Sequence, residues 1–332
     1  MAIKLTPGKL AGMNAVSDKN GVIAALALDQ RGLLKNMIAK ELGSAPPDEM
    51  VMQFKSLVAS TLTAESSSIL LDVEYGLAAT KNIHGKGLLL SYEKAGYSPE
   101  RPEKLPSLTE GWSVKRLKEA GASAIKLLVF YTPYEDPWVN EQKKAFVERV
   151  GAECRGEDIP LFFEFLGYEP GGGDETCLAY AKKKFDILKA SIEEFSSDRY
   201  GVDVLKIEVP FQMAYTAGTS MFKGEQACSY DEALSLFREV STITDKPIVY
   251  LSAGVTSEAF VETLKMAVES GAHFHGVLCG RATWQGGVPV FVKQGAAALQ
   301  QWLDTTGLQN VHNVNEVLKL AQPWTTARSV QG

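Results

Sequence analysis

Charged residues recur inside short apolar runs, where an isolated charge is expensive to bury. Lys206 interrupts VDVLKIEVP (202–210), and Lys126 interrupts SAIKLLVFY (123–131). Glu164 sits in PLFFEFL (160–166), Asp29 in VIAALALDQ (22–30), and Asp72 and Glu74 in SSILLDVEYG (67–76). Two lysines in one confined, partly desolvated space disfavour each other's charged form. A neutral lysine amine attacks a carbonyl to give a Schiff base. A carboxyl group such as Glu164 would shuttle protons beside it, and Asp29 would hold one ammonium in place. Spacing alone leaves open which of Lys206 and Lys126 is the nucleophile, although Lys126 is expected to depress the pKa of Lys206.

Side chains alternate across a strand, so each run can be phased. Leu205, Ile207 and Val209 share one face of their run, leaving Val204, Lys206 and Glu208 on the other. In the same way Ile125, Leu127 and Val129 oppose Lys126, and Leu161, Phe163 and Phe165 oppose Glu164. Leu26 and Leu28 oppose Asp29, Leu71 and Val73 oppose Asp72 and Glu74, and Val249 and Leu251 oppose Ser252. For any one of these residues a structural ion pair is the rival reading. Buried pairs contribute little net stability, however, and six runs with one phase favour function.

These runs, with GLLLSYE (87–93), PIVYLSAG (247–254) and HGVLCGRA (275–282), alternate with segments of helical period. Repeated βα units predict a parallel sheet. Eight of them predict a closed (β/α)8 TIM barrel, with its active site where the inward polar residues cluster at the C-terminal strand ends. An open doubly wound sheet is the alternative, but no GxGxxG follows the first run. A length of 332 residues suits a single barrel domain over 1–332. Ser229 and Thr256 are the expected N-caps of helices over 229–243 and 256–272. Residues 1–20 predict an N-terminal helix or cover, and 307–332 a C-terminal helical extension. GGG (171–173) reads as a flexible loop in preference to a phosphate cradle.

LSAGVTSE (251–258) and CGRATW (279–284) each place glycine beside a polar or cationic residue just before a helix. The loops after the last two strands of a barrel commonly hold a phosphate. Gly254 and Gly280 would let backbone N–H groups approach the anion, and Arg281 would add a fork of donors.

Net charge is −6, with no long run of one sign, so general nucleic-acid or membrane affinity is not expected. An anionic substrate would need a local cationic pocket. Four cysteines without a CxxC pair predict reduced thiols in the cytoplasm. No apolar stretch reaches the roughly 18 residues of a membrane span, and the start lacks the apolar core of a signal peptide. The four histidines form neither HxxxH nor HExxH, so no metal or other cofactor is expected. His273 and His275 alternate at a strand start, where local packing is their expected role.

ALDQRG (27–32), LLDVEYG (70–76), LLLSYEKAGY (88–97), VLKIEVP (204–210), YLSAGV (250–255) and GVLCGRATW (276–284) together resemble the tagatose 1,6-bisphosphate aldolase family of class I barrel aldolases. The resemblance implies a metal-free (β/α)8 enzyme. It would cleave a ketohexose 1,6-bisphosphate, tagatose or an epimer, to dihydroxyacetone phosphate and glyceraldehyde 3-phosphate. By position, Lys206 resembles the Schiff-base lysine, Glu164 the acid/base, and Lys126 and Asp29 their charged neighbours. Gln30, Ser252, Leu278 and Arg281 resemble substrate and phosphate contacts, with Arg31, Gly254 and Gly280 assigned to the same site. The expected partners are a sugar phosphate and a second copy of the chain in a homodimer. VFYTPYEDP (129–137), FLGYEPGGG (165–173) and Val73 depart from the family's usual pattern. The first two fall in mouth loops that would meet the far end of the substrate. Two rivals share these residues: an aldolase for another C6 anion such as a sulfosugar phosphate, and a non-catalytic sugar-phosphate-binding barrel.

Overall fold

A computed structural model describes residues 5–97 and 103–327. Its strands are β1 (Ile23–Leu28), β2 (Ser68–Leu71), β3 (Gly87–Ser91), β4 (Ala124–Phe130), β5 (Leu161–Leu166), β6 (Val204–Ile207), β7 (Ile248–Leu251) and β8 (Gly276–Cys279). They form a closed barrel in chain order, β8 pairing in parallel with β1. All eight expected runs contain one of these strands.

The helices are α1 (Pro7–Val16), α2 (Gly32–Leu42), α3 (Asp48–Leu62), α4 (Val114–Glu119), α5 (Pro137–Gly156), α6 (Leu178–Phe195), α7 (Tyr230–Ile243), α8 (Ser257–Glu269), α9 (Arg281–Trp284), α10 (Gly287–Gln294), α11 (Ala296–Trp302) and α12 (Leu308–Leu318). Ser229 caps α7 in a capping box with Glu232, and Thr256 caps α8 through the N–H of Ala259. On α7 the buried Ala233, Phe237 and Val240 recur at helical spacing and turn one side to the sheet. The alternation of strand and helix has one exception: β2 and β3 are joined by a short 3-10 turn over Leu77–Asn82.

Barrel closure separates two cores. Leu26, Leu28, Ile125, Leu127, Phe163, Leu205 and Ile207 pack outward beneath the helices. Ile23, Ala25, Ala27, Leu70, Leu89, Ala124, Phe162, Val204, Val249 and Leu278 fill the interior. Met13 and Val16 of α1 and Trp324 join that interior group, so α1 and the segment at Trp324 cover the N-terminal mouth of the barrel. The indole of Trp324 donates to Ser17 Oγ at 3.2 Å. The expected C-terminal extension is α12, which packs through Val311, Val314 and Leu318. Its last residues, 328–332, lie outside the described residues, as do residues 1–4 of the expected N-terminal cover.

One strand has the opposite phase to that expected. In β7 Val249 faces the interior, and Tyr250 packs outward against Phe237 and Phe274. Both faces of β7 are apolar, so Ser252 was its only polar marker. Ser252 lies past the strand end, where strict alternation stops.

Candidate active site

With the bottom of the barrel filled by apolar side chains, the polar residues of β4, β5 and β6 stand one layer higher, toward the C-terminal mouth. Strand pairing sets their level: Lys126 is opposite Phe162, Leu128 opposite Glu164, and Glu164 opposite Lys206. They open onto a cavity of about 500 Å³ that Asp29, Gln30, Glu93, Phe130 and Arg281 also line.

Lys206 Nζ is 2.8 Å from Glu164 Oε2, and Lys126 Nζ is 2.9 Å from the same oxygen. Lys126 also meets Asp29 Oδ2 at 2.8 Å and Glu93 Oε1 at 2.7 Å. All of these side chains are nearly fully buried. Burial opposes the charge of Lys126, but the three carboxylates outweigh it and hold the ammonium well above the ordinary lysine range. Burial likewise opposes ionisation of Asp29 and Glu164, and the neighbouring ammonium groups, Lys126 foremost, hold both below the usual carboxylate range. Burial prevails at Glu93 and pushes it up. Asp29 is expected from the sequence to hold one ammonium, and in the structure it is joined on Lys126 by Glu93 and Glu164.

Glu93 was missed in the sequence. In its run Leu89, Ser91 and Glu93 alternate with Leu90 and Tyr92, and that alternation is the sequence signal that places Glu93 on the inward face. Besides holding Lys126, Glu93 accepts from the backbone N–H of Leu128 at 3.1 Å.

The two glycine-bearing loops after β7 and β8 meet at Arg281. Gly254 has φ 80°, and a Cβ there would lie 2.2 Å from Arg281 Nη1, so only glycine lets the guanidinium rest against this loop. A Cβ on Gly280 would stand 2.7 Å from the carbonyl oxygen of Ala27 and 3.1 Å from Gln30 Nε2. Gln30 Oε1 and Asp29 Oδ1 are buried acceptors without a protein partner beside the cavity. Such atoms call for a donor, and ligand hydroxyl groups supply one. Ser252 is buried and hydrogen-bonded to Cys279, and Leu278 lies in the apolar interior below the cavity. Arg31 precedes the first turn of α2 and reaches Glu74 Oε1 at 2.9 Å and the Glu93 carbonyl at 2.8 Å, while its Nε is unpartnered.

Three residues expected on the inward face have other partners. Asp72 receives the backbone N–H groups of Glu74 and Tyr75 and is paired with Lys55 of α3, both side chains fully buried. Glu74 sits at the rim on Arg31. Glu208 pairs with Lys184 of α6 at 3.0 Å and accepts from the N–H of Gly167. Each follows the last residue of its strand, where the chain is free to turn the side chain aside. His275 is buried just before β8, and its Nδ1 accepts the N–H of Ile248 at 3.0 Å, whereas His273 is exposed. Gly171, Gly172 and Gly173 are exposed, and the first two have positive φ, as a loop requires. Among the described residues no three His, Cys, Asp or Glu side chains are grouped to hold a metal ion, and the three carboxylates here converge on an ammonium.

A closed parallel barrel with its polar cluster at the C-terminal mouth is the arrangement of (β/α)8 enzymes. The chain belongs to the DeoC/LacD family of aldolases, whose profile matches residues 23–286. It is 49% identical over 317 residues to tagatose 1,6-diphosphate aldolase 2 of Streptococcus mutans, covering 95% of this chain and 96% of that one. It is 49% identical over 326 residues to the tagatose 1,6-diphosphate aldolase of Listeria monocytogenes serotype 4a, covering 98% and 96%. Among solved structures, a fructose-bisphosphate aldolase from Plasmodium falciparum shares the fold with a TM-score of 0.68 at 15% identity, over 97% of this chain and 98% of that one. A Schiff-base-forming fructose-1,6-bisphosphate aldolase does so with a TM-score of 0.55 at 15% identity, over 92% and 98%.

Proposed function

We propose that this protein is a class I aldolase that reversibly cleaves D-tagatose 1,6-bisphosphate, and epimers such as fructose 1,6-bisphosphate, through a Schiff base on Lys206. The observation that carries this reading is the unequal environment of the two lysines. Lys126 is held as an ammonium by three carboxylates, whereas Lys206 faces the cavity with Glu164 as its carboxylate partner. The names of the relatives supply the substrate.

One proton moved along the 2.8 Å contact from Lys206 to Glu164 creates both reactive forms at once, a neutral amine and a carboxylic acid. The amine adds to the C2 ketone. Glu164 returns the proton to the carbinolamine hydroxyl, which leaves as water, and an iminium remains. As a carboxylate again, Glu164 takes the C4 hydroxyl proton directly or through a water. The C3–C4 bond breaks, its electron pair flows into the iminium, and glyceraldehyde 3-phosphate departs. Protonation of the enamine at C3 and hydrolysis release dihydroxyacetone phosphate and regenerate Lys206.

Lys126 and Lys206 hold Glu164 as the carboxylate between turnovers, and Asp29 holds Lys126 in place. Arg281, with the loops at Gly254, Ser252 and Gly280, takes the phosphate on the ketone side, above Leu278. Gln30 and Arg31, at the start of α2, take polar groups of the remaining chain. A cytoplasmic location is part of the reading, supported by four free cysteines, and so is a homodimer, which light scattering would check.

Borohydride added with substrate should label Lys206 and abolish activity. A Lys206→Met protein that still cleaves the sugar and still takes label would overturn the assignment.

A further inference from the structure

Tyr168 joins the loops after β4 and β5 behind the cavity. Tyr168 is fully buried just beyond β5. Its hydroxyl accepts from Lys143 Nζ of α5 at 2.6 Å. It also reaches Glu135 Oε2 in the β4–α5 loop at 2.5 Å and the carbonyl of Glu103, between β3 and α4, at 3.2 Å. Four separate parts of the chain therefore meet at one phenol.

The ring of Tyr168 continues the connection. Lys104 Nζ lies 4.4 Å from the Phe130 ring centre and 4.8 Å from that of Tyr168, and it pairs with Glu175 at 3.2 Å. Lys104 has φ 49°, a left-handed conformation that a non-glycine residue keeps only where contacts hold it. Phe130 packs edge-on against Tyr168 and against Tyr97, with ring centres 6.3 and 5.0 Å apart. Phe130 and Tyr97 line the cavity, whereas Tyr168 stands behind them. In a closed eight-stranded barrel β4 lies across from β8. The aromatic wall on the β4 side is thus the one farthest from Arg281.

We infer that Tyr168 is a positioning residue for the substrate cavity: it ties the 103–104 segment to the β4 and β5 loops and so holds the Phe130–Tyr97 wall against the end of the substrate remote from Arg281. This rests on the aldolase reading above. The wall meets the C4–C6 half, and dihydroxyacetone phosphate alone does not reach it.

The test compares wild type with Tyr168→Phe, which keeps the ring and loses the hydroxyl, and with Lys104→Met, which keeps the stem and loses the charge. The expected result in both variants is a KM for the ketohexose bisphosphate raised roughly tenfold, with kcat within about threefold. Borohydride trapping of dihydroxyacetone phosphate on Lys206 should match wild type. Unchanged KM in both variants overturns the inference, as does a proportional loss of trapping with dihydroxyacetone phosphate. If Tyr168→Phe does not fold, the Lys104→Met result decides. Failure of the aldolase reading itself is recognisable separately, because wild type would then take no label from dihydroxyacetone phosphate.

Discussion

Lys206 and Glu164 occupy paired positions on β6 and β5, with Nζ and Oε2 2.8 Å apart. If the carboxyl group carries the proton in both directions, Glu164→Gln keeps the shape and loses the chemistry. Its kcat should fall by roughly 10²- to 10⁴-fold. Rapid-quench borohydride trapping should show slowed iminium formation as well. A glutamine variant within tenfold of wild type would assign proton transfer to another group.

Lys126 offsets three buried carboxylates, so Lys126→Met leaves them facing one another. The variant should be less stable by about 3–5 kcal/mol near neutral pH. The sign with pH follows from Asp29 and Glu164, whose folded-state pKa values lie below their ordinary ones. Their contribution is present above the unfolded value, about 4, and is lost as pH falls through the folded values. Without Lys126 that depression is largely removed, so the stability gap should narrow on acidification. Urea unfolding of both proteins from pH 7 to pH 3 measures it, and a constant gap would count against the charge argument.

Gly254 has positive φ and has Arg281 pressed against it. Gly254→Ala should cost about 1–2 kcal/mol of stability in backbone strain. It should also move the guanidinium and raise KM for the bisphosphate and the inhibition constant of inorganic phosphate together. An alanine variant with both constants intact would remove Arg281 from phosphate binding.

The buried Lys55–Asp72 pair sits beside the site without opening onto the cavity. Lys55→Met leaves Asp72 uncompensated and should destabilise the fold by about 3–5 kcal/mol. Below its melting temperature the variant should retain kcat. Ordinary stability with kcat lost would return Asp72 to the reacting groups.

His275 accepts a backbone N–H in the neutral form, and burial pushes it down to about 4. The unfolded chain takes up that proton near pH 6.5. Between pH 6.5 and 4 the unfolded state binds more protons, so stability falls as pH falls, by up to about 3 kcal/mol from this group. His275→Asn supplies an acceptor that does not titrate, and its stability should vary less with pH across this window. An equal slope in both proteins would place the acid sensitivity elsewhere.

The barrel was legible because each strand is a short apolar run between helical segments, and the phase of a run depends only on its own alternation. That is why Lys206, Lys126, Glu164 and Asp29 could be placed inside before any contact was known. The same reasoning failed where its premise ended. Asp72, Glu208 and Ser252 lie beyond the last residue of their strands, where the backbone is free to leave the pleat; Asp29 also follows its strand by one residue but keeps the inward direction and meets Lys126. In β7 both faces are apolar, so alternation held no information about which one packs inward.

The sequence by itself determined which side chains share a strand face, because that follows from a two-residue repeat and the burial of the other face. Only the tertiary structure decided what each charge meets. Closure of the sheet brings Asp29, Glu93 and Glu164, far apart in the chain, onto one ammonium, and it thereby separates the roles of Lys126 and Lys206. No local pattern encodes that convergence, since the energy of a buried charge depends on partners supplied by other strands.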